Sequence, residues 1–161
     1  MCGFIGFFDT RENKEVIVER MMDRVIHRGP DMGGKYIDAH CGLGFRRLSI
    51  LDLSEAGAQP LYSEDGNKIL VFNGEIYNYT EIREDLMAKG YKFKSNTDSE
   101  VLIHGYDEYG EALVNKLRGM FAFCIWDKVE QKVFAARDNF GIKPFYFYEY
   151  EYNGQKALMI A

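Results

Sequence analysis

The sequence opens with Met1-Cys2-Gly3-Phe4-Ile5-Gly6-Phe7-Phe8, an apolar run that no polar leader precedes. Its length and its apolar and aromatic side chains predict a β-strand over residues 1–8. A chain terminus is ordinarily at the surface, where it is poorly ordered. This strand is instead predicted to be packed inside the fold from its first residues, and a buried terminus calls for a functional reason.

The rest of the chain alternates between helical and strand patterns. Residues 14–26 have apolar side chains at helical spacing, and this helix is predicted to end before the turn Arg28-Gly29-Pro30-Asp31. Further helices are predicted at 79–89, 99–109 and 111–117, and strands at 35–37, 42–46, 69–72, 120–126, 132–137, 145–150 and 156–160. Early and late blocks of strands with helices between them predict an α+β fold, a four-layer α/β/β/α sandwich of two mainly antiparallel sheets.

Composition limits the classes of protein to which the chain can belong. With 161 residues, 47% of them hydrophobic, we expect one domain over residues 1–161. A formal charge of −5, with 20 basic and 25 acidic residues mixed along the chain, argues against a nucleic-acid partner. The longest apolar runs are of strand length, so no membrane span is predicted. No signal peptide precedes Cys2, and the expected compartment is the cytoplasm.

Three cysteines are present, Cys2, Cys41 and Cys124, without CxxC spacing. An odd number in this arrangement argues against both a disulfide framework and a zinc site, and free thiols are expected, with no metal. Cys41 and Cys124 lie in apolar strand patterns and are predicted to be core residues. The apolar residues 157–161 end without a polar tail, so we expect the natural chain to continue.

Cys2 has the chemistry of a self-sufficient nucleophile once Met1 is removed. A cysteine nucleophile needs a base, and a chain's own N-terminal amine can serve. An α-amino group has an ordinary pKa of about 7.7 to 8.0, so an appreciable fraction of it is neutral and basic in the cell. Aminopeptidases remove Met1 readily before a small second residue, and Gly3 is expected to leave room beside the thiol for a substrate. A buried structural thiol is the alternative for an isolated cysteine.

Motifs along the whole chain decide between these interpretations. They are Cys2-Gly3-Phe4-Ile5-Gly6, His27-Arg28-Gly29-Pro30-Asp31, Arg47-Leu48-Ser49-Ile50, Asn73-Gly74-Glu75-Ile76-Tyr77-Asn78, Asp98-Ser99-Glu100, Arg137-Asp138 and Gly141-Ile142-Lys143-Pro144. In order and spacing they resemble the class II glutamine amidotransferases, which have the N-terminal nucleophile hydrolase fold. Arg47-Leu48-Ser49-Ile50 and the Asn73–Asn78 motif resemble the asparagine synthetase branch of that family most closely.

The resemblance implies a site for free glutamine. Cys2 would attack the amide carbon, and Asn73 and the N–H of Gly74 would stabilise the oxyanion, which requires preorganised donors. Between strand-forming runs an Asn-Gly pair more often marks a hairpin turn, but the motif that follows favours the site. Arg47 would bind the α-carboxylate in bidentate fashion, and strand alternation should send Arg46 to the opposite face.

The substrate's ammonium group would be bound from other positions in the same pattern. The resemblance assigns it to Asp98, helped by Glu75 and by carbonyl groups of Ser49, Ile50 and Leu51. The turn Arg28–Asp31 is expected to shape a loop over the pocket. His27, His40 and His104 receive no catalytic role from the resemblance, although a Cys/His pair is the alternative that their presence raises. Arg137-Asp138 and Gly141–Pro144 are interpreted as structural, facing a domain outside this chain.

The resemblance also implies partners. The ammonia released from glutamine would pass to a C-terminal synthetase domain that uses ATP and magnesium to make asparagine from aspartate, whereas no cofactor is expected in this domain. An amidotransferase with a different carboxylate acceptor and a catalytically silent glutamine-binding module are the alternatives. The oligomeric state, with a homodimer among the candidates, is left open.

Overall fold

The computed structural model describes residues 2–48 and 58–161. In these ranges the strands are β1 (Gly3–Phe8), β2 (Met32–Ile37), β3 (Cys41–Arg47), β4 (Leu61–Tyr62), β5 (Lys68–Ile76), β6 (Gly119–Asp127), β7 (Lys132–Arg137), β8 (Phe147–Tyr152) and β9 (Gln155–Ile160). The helices are α1 (Lys14–Arg24), α2 (Tyr79–Ala88) and α3 (Glu100–Tyr109), with 3-10 turns at Ile26–Arg28 and Gly110–Lys116.

The strands form two antiparallel sheets that pack face to face. Sheet A has the order β2-β3-β1-β9-β8, and sheet B has the order β4-β5-β6-β7. Helix α1 packs on the outer face of sheet A through Val18 and Met22. Helices α2 and α3 pack on the outer face of sheet B. This arrangement confirms the predicted α/β/β/α sandwich.

Alternation along β1 explains why its sequence is apolar at almost every position. Phe4 and Phe8 lie in the core between the sheets, whereas Ile5 and Phe7 pack against α1. All six residues of β1 are buried, which confirms that the N-terminal run lies inside the fold. Cys2 immediately precedes this strand and is half-buried.

Strand β5 is longer than its sequence predicts. The apolar pattern predicts a strand at residues 69–72, but the observed strand continues through Asn73 and Gly74 to Ile76. The reason is tertiary: β6 pairs with β5 residue by residue, from Lys68 opposite Asp127 to Ile76 opposite Gly119. The Asn-Gly pair is therefore a strand segment and not a hairpin turn. Across the described ranges, no helix is long and apolar enough to cross a bilayer.

Candidate functional site

Cys2 lies beside the end of β3. The Leu48 N–H donates to Cys2 Sγ at 3.5 Å, and the thiol donates to the Leu48 carbonyl oxygen at 3.8 Å. The thiol packs against the core cluster between the sheets without being enclosed by it. A sulfur with backbone groups on one side and partial exposure on the other is oriented and remains accessible, as a nucleophile requires.

The Arg28 side chain occupies the space beside Gly3. Its Nε donates to the Cys2 carbonyl oxygen at 3.2 Å, and its Nη2 is buried without a hydrogen-bond partner in the described part of the chain. A Cβ at Gly3 would lie 3.1 Å from Arg28 Cδ. The sequence-based expectation that Gly3 leaves room for substrate beside the thiol stays a prediction. Its missing side chain accommodates Arg28, which places the turn Arg28–Asp31 against Cys2.

Arg46 and Arg47 diverge as strand alternation predicts. Arg46 points to α1, where its Nη2 lies 3.0 Å from Asp23 Oδ1 and its Nε donates to the Met22 carbonyl oxygen. Arg47 points into the space between the sheets and is only 8% exposed, with Nη1 3.8 Å from Met32 Sδ. A guanidinium at this depth can bind a carboxylate in a water-poor setting, where the pairing is strongest.

Cys2, Arg47 and Asn73 lie at the same end of the inter-sheet core. Residues two apart on a strand share a face. Cys2 precedes Phe4 by two residues, Arg47 follows Phe45 by two, and Asn73 follows Val71 by two. Phe4, Phe45 and Val71 all belong to the inter-sheet core. The opposite end is marked by Phe8 and Trp126, whose ring centroids are 5.5 Å apart, and Trp126 pairs with Ile69 at the other end of β5. The fold thus brings together three residues that are up to 71 positions apart in the sequence.

Asn73 is 5% exposed and pairs with Ala122 of β6. Its neighbour Gly74 is required by close packing, because a Cβ there would lie 2.3 Å from the Met120 carbonyl oxygen and 2.7 Å from Phe121 Cα. The sequence-based reason for this glycine, open access of its amide to substrate, is therefore incomplete. The missing side chain lets β5 approach β6, while the amide points in another direction.

The N–H of Gly74 points away from β6. Tyr77 N–H, just after β5, donates to the Arg118 carbonyl oxygen, just before β6. Successive amides of a strand point to alternate edges, so the odd-numbered amides of β5 face β6 and the even-numbered amides face the opposite edge. On that edge Phe72 N–H donates to Gln59 Oε1 at 2.6 Å, and Ile76 N–H donates to Asp98 Oδ2 at 2.7 Å. Gly74 N–H lies between these two bonded amides and points to the same edge, where no other described group is found to accept from it, as an oxyanion donor requires.

No sequence pattern predicts the position of Gln59 at this edge. Its side-chain amide accepts from Phe72 N–H and donates to the Phe72 carbonyl oxygen at 3.1 Å, and so takes the place of a paired strand. Gly74 N–H is the next amide of β5 that points to the edge away from β6. Glutamine has no fixed sequence signature for such a contact, and only the tertiary structure reveals it.

Asp98 reaches the same edge from the loop before α3. Besides binding Ile76 N–H, this carboxylate is largely desolvated, and burial together with the nearby charge of Glu75 raises its pKa to about 6. Glu75 is exposed. A desolvated carboxylate with no cationic partner among the described residues is suited to receiving an ammonium group from a ligand.

Glu100 holds the loop that carries Asp98. This buried side chain accepts from Lys94 N–H at 2.7 Å, from Ser95 N–H at 2.8 Å and from the Ser95 hydroxyl at 2.6 Å. These hydrogen bonds keep its pKa low in spite of desolvation, which is the largest single influence. The sequence motif includes Glu100 but does not predict a role for it. Its position makes it a supporting residue for Asp98.

The remaining candidates fall into two groups. Ser49, Ile50 and Leu51 lie outside the described residues, as does Met1. His104 is buried between the rings of Tyr91 and Phe93 on the helical side of sheet B, with Nε2 3.5 Å from Glu100 Oε1. It is therefore a core histidine, remote from the inter-sheet face that carries Cys2.

Cys41 and Cys124 are fully buried in the inter-sheet core, and desolvation raises the pKa of both thiols. All three cysteines are free, as expected. Nowhere in residues 2–48 and 58–161 do three His, Cys, Asp or Glu side chains converge in a way that could hold a metal ion.

Comparison with known proteins places this geometry in context. A family model described as a glutamine amidotransferase domain matches residues 1–160. Asparagine synthetase [glutamine-hydrolyzing] 1 of Bacillus subtilis is 47% identical over 171 aligned residues, which cover 100% of this chain and 27% of that protein. Amidase chry2 of Gibberella zeae is 44% identical, covering 91% of this chain and 24% of that protein. The chain thus spans about a quarter of the length of these relatives.

The fold is also similar to that of solved structures. The glutamine phosphoribosylpyrophosphate amidotransferase of B. subtilis matches with a TM-score of 0.73 and 19% identity, covering 99% of this chain and 41% of that chain. A structure described as the allosteric regulatory enzyme of purine biosynthesis matches with a TM-score of 0.80 and 18% identity, with the same coverage of 99% and 41%. At this level of identity the two matches show a common fold.

Proposed function

The chain belongs to the glutamine amidotransferase domain family, and on that premise we propose that it hydrolyses the side-chain amide of free glutamine to glutamate and ammonia through a thioester on Cys2. The observation that carries this proposal is the convergence of Cys2, Arg47 and Asn73 at one end of the inter-sheet core. A nucleophile, an anion-binding guanidinium and an amide donor meet there, and Asp98 approaches from the neighbouring edge of β5.

The reaction begins when Cys2 Sγ attacks the amide carbon. The thiol proton passes to the free α-amine of Cys2, and negative charge develops on the amide oxygen, where the Asn73 side chain and Gly74 N–H donate. The amine then gives its proton to the departing nitrogen, and ammonia leaves. Water attacks the γ-glutamyl thioester with the same amine as base, which releases glutamate and restores the thiol.

Substrate selection follows from the two charged ends of glutamine. Arg47 binds the α-carboxylate, and Asp98, with Glu75 nearby, binds the α-ammonium. Ser49, Ile50 and Leu51 are proposed to contribute carbonyl groups. A glutamine side chain within a protein has neither charge, so Arg47 and Asp98 restrict the reaction to the free amino acid.

In the full-length protein the ammonia is proposed to pass to a C-terminal synthetase domain. Two observations support this: the asparagine synthetase relative is 47% identical to the chain, and the chain spans only 27% of its length. The second domain would bind ATP and magnesium to activate aspartate, and no step assigned to the present chain uses either. The alternative is an amidotransferase whose ammonia acceptor is not aspartate, because a protein named as an amidase, from G. zeae, is also 44% identical to the chain.

The free amine of Cys2 supplies a direct test. We expect the purified protein to have a mass lower by one methionine residue and to release glutamate from glutamine. The same sequence produced in cells whose methionine aminopeptidase is inhibited keeps the amine within a peptide bond. Its rate should fall by about 10²-fold or more, the usual contribution of a positioned base. Equal glutamate release by both forms, checked by intact mass, would exclude the amine as base.

The raised pKa of Asp98 predicts a second acidic limb in the pH profile. Below pH about 6 the carboxyl becomes neutral and cannot pair with the substrate ammonium, while an α-amine of ordinary pKa, about 7.7, is already protonated at that pH. The slope of log kcat/KM against pH should therefore steepen from 1 towards 2 below pH 6. Asp98→Asn should raise KM for glutamine and remove the second limb.

The same substitution should stabilise the fold. The pKa of Asp98 in the folded protein lies above the ordinary value of 3.8. Its contribution to the free energy of unfolding is therefore fully present below pH 3.8 and is lost as the pH rises through about 6. The asparagine side chain of the variant resembles the protonated carboxyl and keeps an acceptor for Ile76 N–H. At pH 7.5 we expect the free energy of unfolding to rise by on the order of 1 kcal/mol. A lower stability, measured by urea unfolding, would contradict the assigned desolvation.

A further inference from the structure

Met32 lies beside the guanidinium that is proposed to bind the substrate carboxylate. It is the first residue of β2, and the antiparallel pairing of β2 with β3 places it directly opposite Arg47. Directly opposed residues of such a pair project from the same face of the sheet. The two side chains meet there, with Arg47 Nη1 3.8 Å from Met32 Sδ. Met32 therefore lines the site next to its anion-binding group.

The position of Met32 is both accessible and constrained. Met32 is half-buried, whereas Arg47 is only 8% exposed, so a small solute can reach the methionine more easily than the guanidinium behind it. The next position on the same face of β2 is Gly34, where a Cβ would lie 1.9 Å from the Gln59 carbonyl oxygen. Backbone atoms thus cover this face of β2 beyond Met32. The Met32 side chain cannot turn in that direction, and it stays beside Arg47.

The oxidation state of this sulfur decides how strongly it binds the guanidinium. A thioether sulfur is only a weak hydrogen-bond acceptor, so a substrate carboxylate displaces it readily from Arg47 Nη1. A sulfoxide carries a polar oxygen on the sulfur and is a much stronger acceptor. With sulfur and nitrogen 3.8 Å apart, an oxygen on Met32 Sδ that is directed at Nη1 falls within hydrogen-bond distance. Oxidation of Met32 would therefore create a competitor for the substrate.

We propose that Met32 is a reversible oxidation site at which hydrogen peroxide lowers the affinity of the enzyme for glutamine. This inference rests on the proposed function, which assigns the α-carboxylate of glutamine to Arg47. The sulfur donates a lone pair to one peroxide oxygen, so that an S–O bond forms as the O–O bond breaks. Hydroxide leaves and takes the proton of the new S–OH group. The sulfur has then lost two electrons, and the products are a sulfoxide and water.

Oxidation of Met32 and oxidation of Cys2 have different kinetic effects. A molecule that has lost its nucleophile is inactive, so oxidation of Cys2 lowers kcat and leaves the KM of the remaining molecules unchanged. A sulfoxide at Met32 leaves Cys2, Asn73 and Gly74 in place and weakens one contact with the substrate, so it raises KM. The two products also differ in their repair. A thiol reductant reverses sulfenic acid or a disulfide at Cys2, whereas a sulfoxide requires methionine sulfoxide reductases.

Peroxide treatment of the full-length protein tests the proposal. The protein is exposed to hydrogen peroxide and then to dithiothreitol, and peptide mass measurement reports the oxygen gained at Met32. We expect the KM for glutamine to rise about 10-fold or more, as for the loss of one hydrogen bond between charged groups. The value of kcat per intact Cys2 thiol should change little. Treatment with both methionine sulfoxide reductases, one for each sulfoxide epimer, should restore the original KM.

Variants separate Met32 from the other methionines. Met32→Leu nearly conserves volume and should have the wild-type KM both before and after peroxide treatment. Met87→Leu is the matched control, because Met87 is 55% exposed on α2 and open to the same oxidant. That variant should show the full rise in KM. Met32→Gln places a carbonyl oxygen near the position of the sulfoxide oxygen, so it should raise KM without any oxidant.

Three outcomes would overturn the proposal. The first is a Met32 peptide that stays unoxidised while the Met87 peptide is converted. The second is an unchanged KM in protein whose Met32 is fully oxidised, and the third is an equal rise of KM in Met32→Leu. Glutamate release is also measured on each sample before peroxide is added. Its absence there contradicts the proposed function, whereas release with a KM that peroxide does not alter contradicts only the oxidation site.

Discussion

Replacing Cys2 with alanine is expected to lower glutamate release by at least about 10⁴-fold, because no other described group can form the thioester. Cys41 and Cys124 are both fully buried in the inter-sheet core, where their thiols cannot reach a substrate. Arg47 and Asp98 remain in the variant, so glutamine should still bind. Glutamate production measures the first effect, and titration calorimetry with glutamine measures the second.

Cys124→Ala is the matched control. It removes a sulfur from the same inter-sheet core that Cys2 contacts, and as a large-to-small core substitution it should cost about 1 kcal/mol of stability. Its rate of glutamate release should be unchanged. If Cys2→Ala retains more than a small fraction of the rate while Cys124→Ala does not, the nucleophile has been assigned to the wrong thiol.

The fold could be predicted because its signals are local and repeated. Apolar alternation and helical spacing located the strands and helices, and turn residues separated them, as in the block that becomes β1. The extent of β5 could not be predicted in this way. Asn73, Gly74 and Glu75 have low strand propensity, and they are extended because β6 pairs with every residue from Lys68 to Ile76.

The candidate site was predicted through resemblance to a family. Cys2, Arg47 and Asn73 do converge, and alternation correctly separated Arg46 from Arg47. Their roles in catalysis and binding stay predictions until the variants are measured. Gln59 and Glu100 escaped prediction as supporting residues because their contacts with Phe72 and with residues 94–95 join segments whose proximity only the fold creates.

The two glycines next to the site show the limit of reasoning from residue type. The sequence suggested that Gly3 and Gly74 give substrate access, and each is in fact next to protein atoms, the Arg28 side chain and the backbone of β6 respectively. A glycine indicates that something approaches closely. Whether the approaching group is a ligand or another part of the chain depends on packing, which a single sequence does not specify.

The second large effect is expected at Asn73. Removing one oxyanion donor typically lowers kcat by about 10²–10³-fold, and Asn73→Ala should do so with little change in KM, since its amide acts on charge that appears only in the transition state. Gly74 N–H remains as the second donor, so the loss should be smaller than for Cys2→Ala. Steady-state glutamate release at saturating and subsaturating glutamine separates kcat from KM.

Val71→Ala is the appropriate control, because Val71 lies two residues earlier on the same face of β5 and is also fully buried. It should destabilise the fold through the cavity it leaves, by roughly 1–3 kcal/mol, while leaving kcat near the wild-type value. Asn73→Ala also leaves a cavity, but it removes the hydrogen-bond donor as well. The difference in kcat between the two variants therefore measures the contribution of that donor. If Asn73→Ala raises KM and leaves kcat unchanged, Asn73 binds ground-state glutamine, and the oxyanion is stabilised by Gly74 without it.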